Sequence, residues 1–311
     1  MFTKEEIILT IIMAGESIIG ILANGYIGLI FWIDSVKKKK IPSFNYILTN
    51  LAVSRICLLF IIVVGDIVLI LYPDFYENVK LVIVLSVFWI FTNYSSLWFA
   101  TCLNVFYLLK IANFSSPLFL WLKWRIDRAT FWILLLGLAV CSLSSCLTAI
   151  PNFYKDSYGF TEHQRNVTEM FHVSEIEYLD PSDFFNLLAI VPIAVSLISF
   201  FLLILSLWRH IKQMKLNASG WRDPSTEAHI TAMKNVTSFL FLLFLYYGAC
   251  LLVTYSNLMR GNIVSGLGKI IEILYPTGHS LILIIGNSKL KQAFVRILRC
   301  GGGVRGTACL M

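Results

Sequence analysis

Residues 81–109, LVIVLSVFWIFTNYSSLWFATCLNVFYLL, carry no charged side chain, and Lys110 ends the run. A hydrocarbon core about 30 Å thick takes roughly 20 helical residues to cross, so this stretch spans a membrane with length to spare. It is not a uniform lipid-facing rod. Trp89, Asn93, Ser96, Asn104 and Tyr107 recur every three or four residues, with small Ala100 filling the one longer interval, so they lie near one face of a helix. Polar groups at membrane depth turn toward protein or water. Helix-helix glue explains single members of such a stripe, whereas a stripe running the full depth predicts a helix at the centre of a bundle.

The whole chain has the same character. Its 311 residues are 58% hydrophobic and only 14% charged, with a mean hydropathy of +0.76, too apolar for a soluble globular domain of that length. Apolar spans run over 7–33, 47–72, 81–109, 129–150, 184–208, 233–258 and 263–286. The reading is an all-α membrane protein, a single seven-helix bundle over 1–311. The net charge of +7 does not mark a nucleic-acid surface, because the positive residues collect in short loops. Segments 34–45, 110–128, 209–234 and 287–311 hold eighteen Lys and Arg, and the alternate set 1–7, 73–80, 152–183 and 259–269 holds six. By the positive-inside rule this predicts an extracellular N-terminus and a cytoplasmic C-terminus. The first span opens after Glu5 and Glu6 and is too long for a cleaved leader, so it reads as an uncleaved signal anchor.

Topology sorts the local motifs. Asn-X-Ser/Thr sequons begin at Asn93, Asn113, Asn166, Asn217 and Asn235. Only Asn166 falls in an outer loop (152–183) and is the expected glycan acceptor. None of the seven cysteines falls in an outer loop, and no Cys/His pair has ligand spacing, so neither an extracellular disulfide nor a metal centre is expected. Residues 287–299, NSKLKQAFVRILR, place Leu290, Phe294, Ile297 and Leu298 opposite basic residues, as an interfacial helix does. Cys300 opens the cytoplasmic tail 300–311 and is either a palmitoylation site or an unmodified thiol.

Charges inside the membrane cost at least a few kcal/mol each unless paired or hydrated. Glu16, Arg55, Asp66, Lys269 and Glu272 are the set. Arg55 sits ~15 Å in from the inner end of its span, too deep to snorkel. Asn24 and the segment 275–280 reach similar depth, so Arg55 is expected to hydrogen-bond there and tie three helices together. Asp66 lies on the same face of that helix in the outer third, with Lys269 and Glu272 at comparable depth. Pro192 and Pro276 fall inside spans and are either hinges or inert kinks.

Taken together, these residues resemble the type 2 (bitter) taste receptor family of seven-span G-protein-coupled receptors. The resemblance rests on Glu16, Gly20 and Asn24, then LTNLAVSR (48–55), LWFATCLNVFYLLKIANF (97–114), LFLWLKWRI (118–126), SLWRHIKQM (206–214), RDPSTEAH (222–229), SFLFLLFLYY (238–247) and YPTGHSLILIIGNSKLK (275–291). It covers nearly the whole chain except most of the outer loop. No Asp-Arg pair closes the third span and no NPxxY box the seventh, which separates the chain from ordinary rhodopsin-like receptors.

The resemblance implies an outward-facing pocket for small bitter compounds. Activation would run through a gustducin-type heterotrimeric G protein to phospholipase C-β and calcium, at the plasma membrane. Family ligand positions map onto Trp89, Asn93 and Tyr246: an indole face for apolar or cationic ligands, an amide that donates or accepts, and a phenol. Asp66, Lys269 and Glu272 complete the outer polar set. Several family members carry an acid at the place of Lys269. Here the acid is Glu272, so a cation is either repelled or meets a pair neutralised at i, i+3.

The same resemblance assigns coupling and state control at the inner face to Tyr107, Lys110, His210, Asn287 and Lys289, basic positions that positive-inside topology alone would also leave there, while depth in the membrane makes Asn24, Arg55, His279 and Ser280 the structural or switch set. His279 and Ser280 either switch partners or satisfy the backbone and Arg55. Among other classes, a vomeronasal type 1 receptor is disfavoured by YPTGHS and DPSTEAH. A transporter or channel, for which intramembrane charges are also expected, is disfavoured by the odd span count and the lack of a repeated half. An enzyme is disfavoured by five scattered histidines without HExxH or a nucleophile elbow. No cofactor is expected. The partners are bitter ligands, a G protein and membrane lipids, with no nucleic acid.

Overall fold

A computed structural model describes residues 4–37, 42–71, 79–112, 114–162, 181–216, 224–259 and 262–301. Among these residues all regular structure is helical: α1 Lys4–Lys37, α2 Ser43–Leu71, α3 Val79–Ile111, α4 Pro117–Trp124, α5 Ile126–Glu162, α6 Pro181–Leu216, α7 Pro224–Met259, α8 Asn262–Gly286 and α9 Ser288–Gly301. All except α4 and α9 contain a segment long and apolar enough to cross a membrane, and these segments number seven.

The arrangement follows from which faces are apolar and which are polar. α3 packs against α2, α5, α6 and α7, while α1 lies between α2 and α8, and α7 against α6 and α8. Residues 92–104 of α3 are buried without a break, including Asn93, Ser96 and Asn104 of the polar stripe. α3 is therefore the central helix that its sequence predicts. The outer surface is the reverse: Trp32, Phe60, Phe88, Trp132, Phe201 and Phe244 stand exposed. Such a surface would aggregate in water and suits hydrocarbon, where only a helix satisfies its own backbone.

Close approach of helices needs small residues at the contact. A Cβ added at Gly20 would run into Thr277 and Leu59, so this glycine lets α1 meet α8 and α2 at one level. At Gly137 the added atom would fall inside the Trp98 ring. The indole packs against α5, donates from Nε1 to the Ile133 carbonyl (2.9 Å), and stacks on Tyr94 at 6.4 Å between centroids and 11° between planes.

Two features differ from expectation. The segment 110–128, read as a loop, contains α4, which begins with Pro117 in its first turn after Ser116, where a missing N–H is harmless and φ is already set. The helices also overrun the spans: α5 continues to Glu162, so residues 152–162, assigned to an outer loop, are helical. Apolar count sets a span's length, but the hydrogen-bond ladder runs on past it through the mixed sequence NFYKDSYGFTE. Pro192 and Pro276 both sit inside continuous helices.

Candidate functional site

Three polar layers occupy the bundle interior. The end of the bundle carrying Lys37, Lys110 and Lys289 is termed the basic end.

The middle layer is built on Arg55, fully buried on α2. Its Nε donates to Ser96 Oγ on α3 (3.3 Å) and its Nη1 to Ser280 Oγ on α8 (2.9 Å). Its Nη2 lies 2.6 Å from His279 Nδ1. A guanidinium only donates, so His279 Nδ1 accepts and the imidazole is neutral with its proton on Nε2. Ser280 offers its single proton to Asn24 Oδ1 of α1 (2.7 Å) or to the Pro276 carbonyl (2.8 Å). Tyr275 presents its ring to the guanidinium at 5.7 Å, a cation–π contact that desolvation strengthens. The expectation of a tie across three helices is thus corrected to four, because Ser96 adds α3. Asn24 is reached through Ser280 and not directly, since its amide nitrogen donates to Gly20 O one turn back (2.8 Å).

The layer on the far side from the basic end joins α3 to α7. Asn93 Nδ2 donates to Tyr246 Oη (2.6 Å), and both residues are buried. The Tyr246 ring packs on Tyr247 and on Tyr275, each at 5.4 Å. Trp89, one turn along α3 from Asn93, is half-buried. Nearby, Lys269 pairs with Asp66 of α2 (Nζ to Oδ1, 3.6 Å). α2 thus presents Asp66 across the interface as an ion-pair partner, and Glu272 at i+3 stays within electrostatic reach of the same ammonium. Glu272 also lies close to Cys250 and Tyr246 of α7. The pair is partly exposed, at 39% for Lys269 and 22% for Asp66, so it adds about 1 kcal/mol or less.

At the basic end a cavity of about 560 Å³ opens between α3, α7, α8 and α9, lined among others by Phe44, Tyr107, Lys110, Asn235, Asn287 and Lys291. Asn235 Nδ2 donates to Tyr107 Oη (3.4 Å) and bridges α7 to α3. Phe44 packs against Phe31, Phe106 and Tyr107 as the wall of the cavity. Lys110 is exposed with its ammonium 5.5 Å over Phe106. Beyond α3, Lys123 of α4 donates to the Ala112 carbonyl (2.7 Å). That contact puts a cation at the negative end of the α3 dipole, and partial burial pulls the Lys123 pKa down.

The helix α9 is docked along α1. Asn287 caps it, its Oδ1 accepting from the Lys289 and Leu290 amides (3.0 and 3.2 Å), as Asn does at a helix start. Tyr26 Oη donates to Leu290 O (2.7 Å), and its ring meets Phe294 edge-on at 5.9 Å. Lys289 pairs with Asp34 (2.5 Å), which also accepts from Asn45 (2.6 Å). The Lys289 ammonium thus fastens α9 to α1 and α2 instead of standing free on the rim. His210 lies on α6, with its side chain outside the described residues; the same holds for the Cys300 side chain of α9. Asn166, residues 163–180 and the tail 302–311 lie outside them altogether.

Sequence reading did not single out Asn235, Asp34 or Asn45. Asn235 reads as an unusable sequon, although an amide in an apolar helix already signals an interhelical bond. Asp34 and Asn45 find Lys289 from the opposite end of the chain, and no local pattern announces that meeting.

Comparison with known proteins gives one consistent result. The family described as Taste receptor protein (TAS2R) matches residues 1–301. The chain is 54% identical to the human protein named Taste receptor type 2 member 8 over 315 aligned positions, covering all of both chains. It is 57% identical to the protein of that name from Pongo pygmaeus over 303 positions, 96% of this chain and 98% of the relative. The Taste receptor type 2 member 7 of Papio hamadryas is 46% identical over 301 positions, 96% and 95% of the two chains. A bundle of seven membrane-length helices, ordered around a buried arginine, is therefore the scaffold of a bitter taste receptor, and the chain belongs to the TAS2R family of G-protein-coupled receptors.

Proposed function

We propose that the chain binds small bitter compounds in a pocket formed by Trp89, Asn93, Tyr246 and Glu272, with Asp66 and Lys269 at its edge. In this reading the basic end lies in the cytoplasm of a plasma-membrane receptor whose N-terminus is extracellular. Binding then activates a gustducin-type heterotrimeric G protein, with phospholipase C-β and calcium release downstream. The observation that carries the reading is a chain of contacts from the outer layer to the centre. Tyr246 accepts from Asn93, packs on Tyr275, and Tyr275 covers Arg55. A ligand that competes for the Asn93 amide frees the Tyr246 phenol, and the next two contacts lead to the Arg55 layer. His279 passes the strain on through Phe239 of α7, 5.3 Å away. The Tyr107–Asn235 hydrogen bond ties α3 to α7 at the wall of the inner cavity. Releasing it widens that cavity toward Lys110 of the coupling rim, while Lys289 keeps α9 in place.

Because Asp66 pairs with Lys269 and Glu272 also lies within reach of that ammonium, the pocket gives amine-bearing bitter compounds no advantage over neutral ones. The test is calcium imaging in cells carrying a promiscuous gustducin-like G-protein chimera, screened with a broad set of bitter compounds. Asn93→Ala is expected to shift agonist potency about tenfold, the value of one lost hydrogen bond to a buried polar ligand group, at unchanged surface expression. Unchanged potency for every agonist found would place the pocket elsewhere.

The topology has its own test. Asn166→Gln is expected to abolish a glycosidase-sensitive shift on a gel, and a shift that survives the substitution would overturn the outward assignment of that loop.

A further inference from the structure

On the membrane-facing side of the bundle, between α6 and α7, Leu207, Ile230, Met233, Lys234, Thr237 and Ser238 enclose a groove of about 300 Å³. It lies away from the central layers. Along α7 the residues Ile230, Lys234, Thr237, Phe241 and Phe244 form one exposed stripe, the face turned to lipid, and the groove opens on it. Its lining is apolar except at three positions. The Ser238 hydroxyl is already committed to the Lys234 carbonyl (2.7 Å), so it offers no donor to an occupant, and Thr237 is exposed at the edge.

That leaves Lys234 as the chemical signature. It lies within a membrane-length apolar segment, Ile230–Cys250, where an ammonium without a counter-charge is costly. Among the described residues no carboxylate pairs with it. The depth of the groove is marked by its neighbours. On α6, exposed Trp208 carries Lys212 over its ring at 5.7 Å, an aromatic and basic pair of the kind that sits where hydrocarbon meets headgroups. Leu207, beside Trp208, lines the groove, so the groove begins just inside that boundary. A lysine stem reaches from there to the headgroup level.

We infer that this groove is a binding site for one anionic phospholipid. Its phosphate meets Lys234, with Lys212 as the second cation, and an acyl chain lies against Leu207, Ile230 and Met233. A lipid held there bridges the basic ends of α6 and α7 and biases how far they separate. The inference does not depend on the identity of any agonist or G protein, nor on which end of the bundle faces the cytoplasm.

The test is native mass spectrometry of the full-length protein in detergent with equal amounts of phosphatidylserine and phosphatidylcholine. Wild type is expected to retain phosphatidylserine preferentially. Lys234→Gln should lower that adduct about fivefold, the factor one lysine contributes next to anionic lipid. Thr237→Trp keeps both lysines, fills the groove, and should lower it as well. Equal retention of the two lipids by wild type would overturn the inference, as would wild-type phosphatidylserine retention in both variants. If Lys234→Gln does not fold, Lys212→Gln and Thr237→Trp carry the comparison, and unchanged retention in that pair refutes the site.

Discussion

Arg55→Ala is expected to lower stability by about 3–5 kcal/mol, the range for breaking a buried charged network, and to remove most of the chain from the cell surface. Three acceptors on two other helices, Ser96, Ser280 and His279, are satisfied by this one guanidinium. Its loss leaves a void at the centre of the bundle and polar atoms with no water to replace it. Ser280 keeps Asn24 and Pro276 as partners, whereas the His279 Nδ1 lone pair loses its donor. Arg55→Lys should rescue little, because a compact ammonium cannot serve a rigid three-way fork. The measurement is thermal unfolding of detergent-solubilised receptor by fluorescence-detected size exclusion, together with surface labelling. A wild-type midpoint for Arg55→Ala would show that the network is dispensable for the fold.

Gly137→Ala is the second large effect. The added methyl would occupy the space of the Trp98 ring, so the indole must leave. With it go the bond to Ile133 O and the stack on Tyr94. Overpacking of this kind costs about 1–3 kcal/mol, and the lost aromatic contact adds about 0.5–1.5 kcal/mol. The cause is separable from a generic glycine effect, since Ala is the better helix former and raises stability where there is room. Trp98→Leu alone should destabilise by leaving a cavity. The double variant Gly137→Ala/Trp98→Leu should be more stable than the sum of the two single changes by at least about 1 kcal/mol. Strict additivity in the same unfolding measurement would mean that the two residues do not share the site.

Why some features were readable and others not follows from the range of the forces involved. Residues 81–109 announce a spanning helix because the hydrophobic requirement acts on composition alone, and a polar stripe at helical period must face protein. The family was readable from short blocks such as LTNLAVSR and YPTGHSLILIIGNSKLK, and the match over residues 1–301 agrees with that resemblance. α4 is not legible in the sequence because eight residues between spans give too little periodicity, although Ser116-Pro117 is a usable start signal. The partner of Lys269 also could not be read from the chain. Spacing offers Glu272 at i+3, whereas the chosen partner, Asp66, is some two hundred residues away and is decided by the rotation of α2 against α8.

The same division holds for the centre of the receptor. Sequence alone dictated that the chain crosses the membrane seven times, that α3 is interior, and that Arg55 is too deep to reach water and must be satisfied by protein. Each of these follows from transfer free energies, which depend on residue type and position along a helix. Only the tertiary structure decided that Arg55 binds Ser96 as well as α8, that Asn24 is reached through Ser280, that Asn93 is closed on Tyr246, and that Trp98 needs Gly137. Hydrogen bonds and ring contacts act over a few ångströms, so they depend on how far each helix is rotated and shifted against its neighbours. Those rotations are set by packing all seven helices at once.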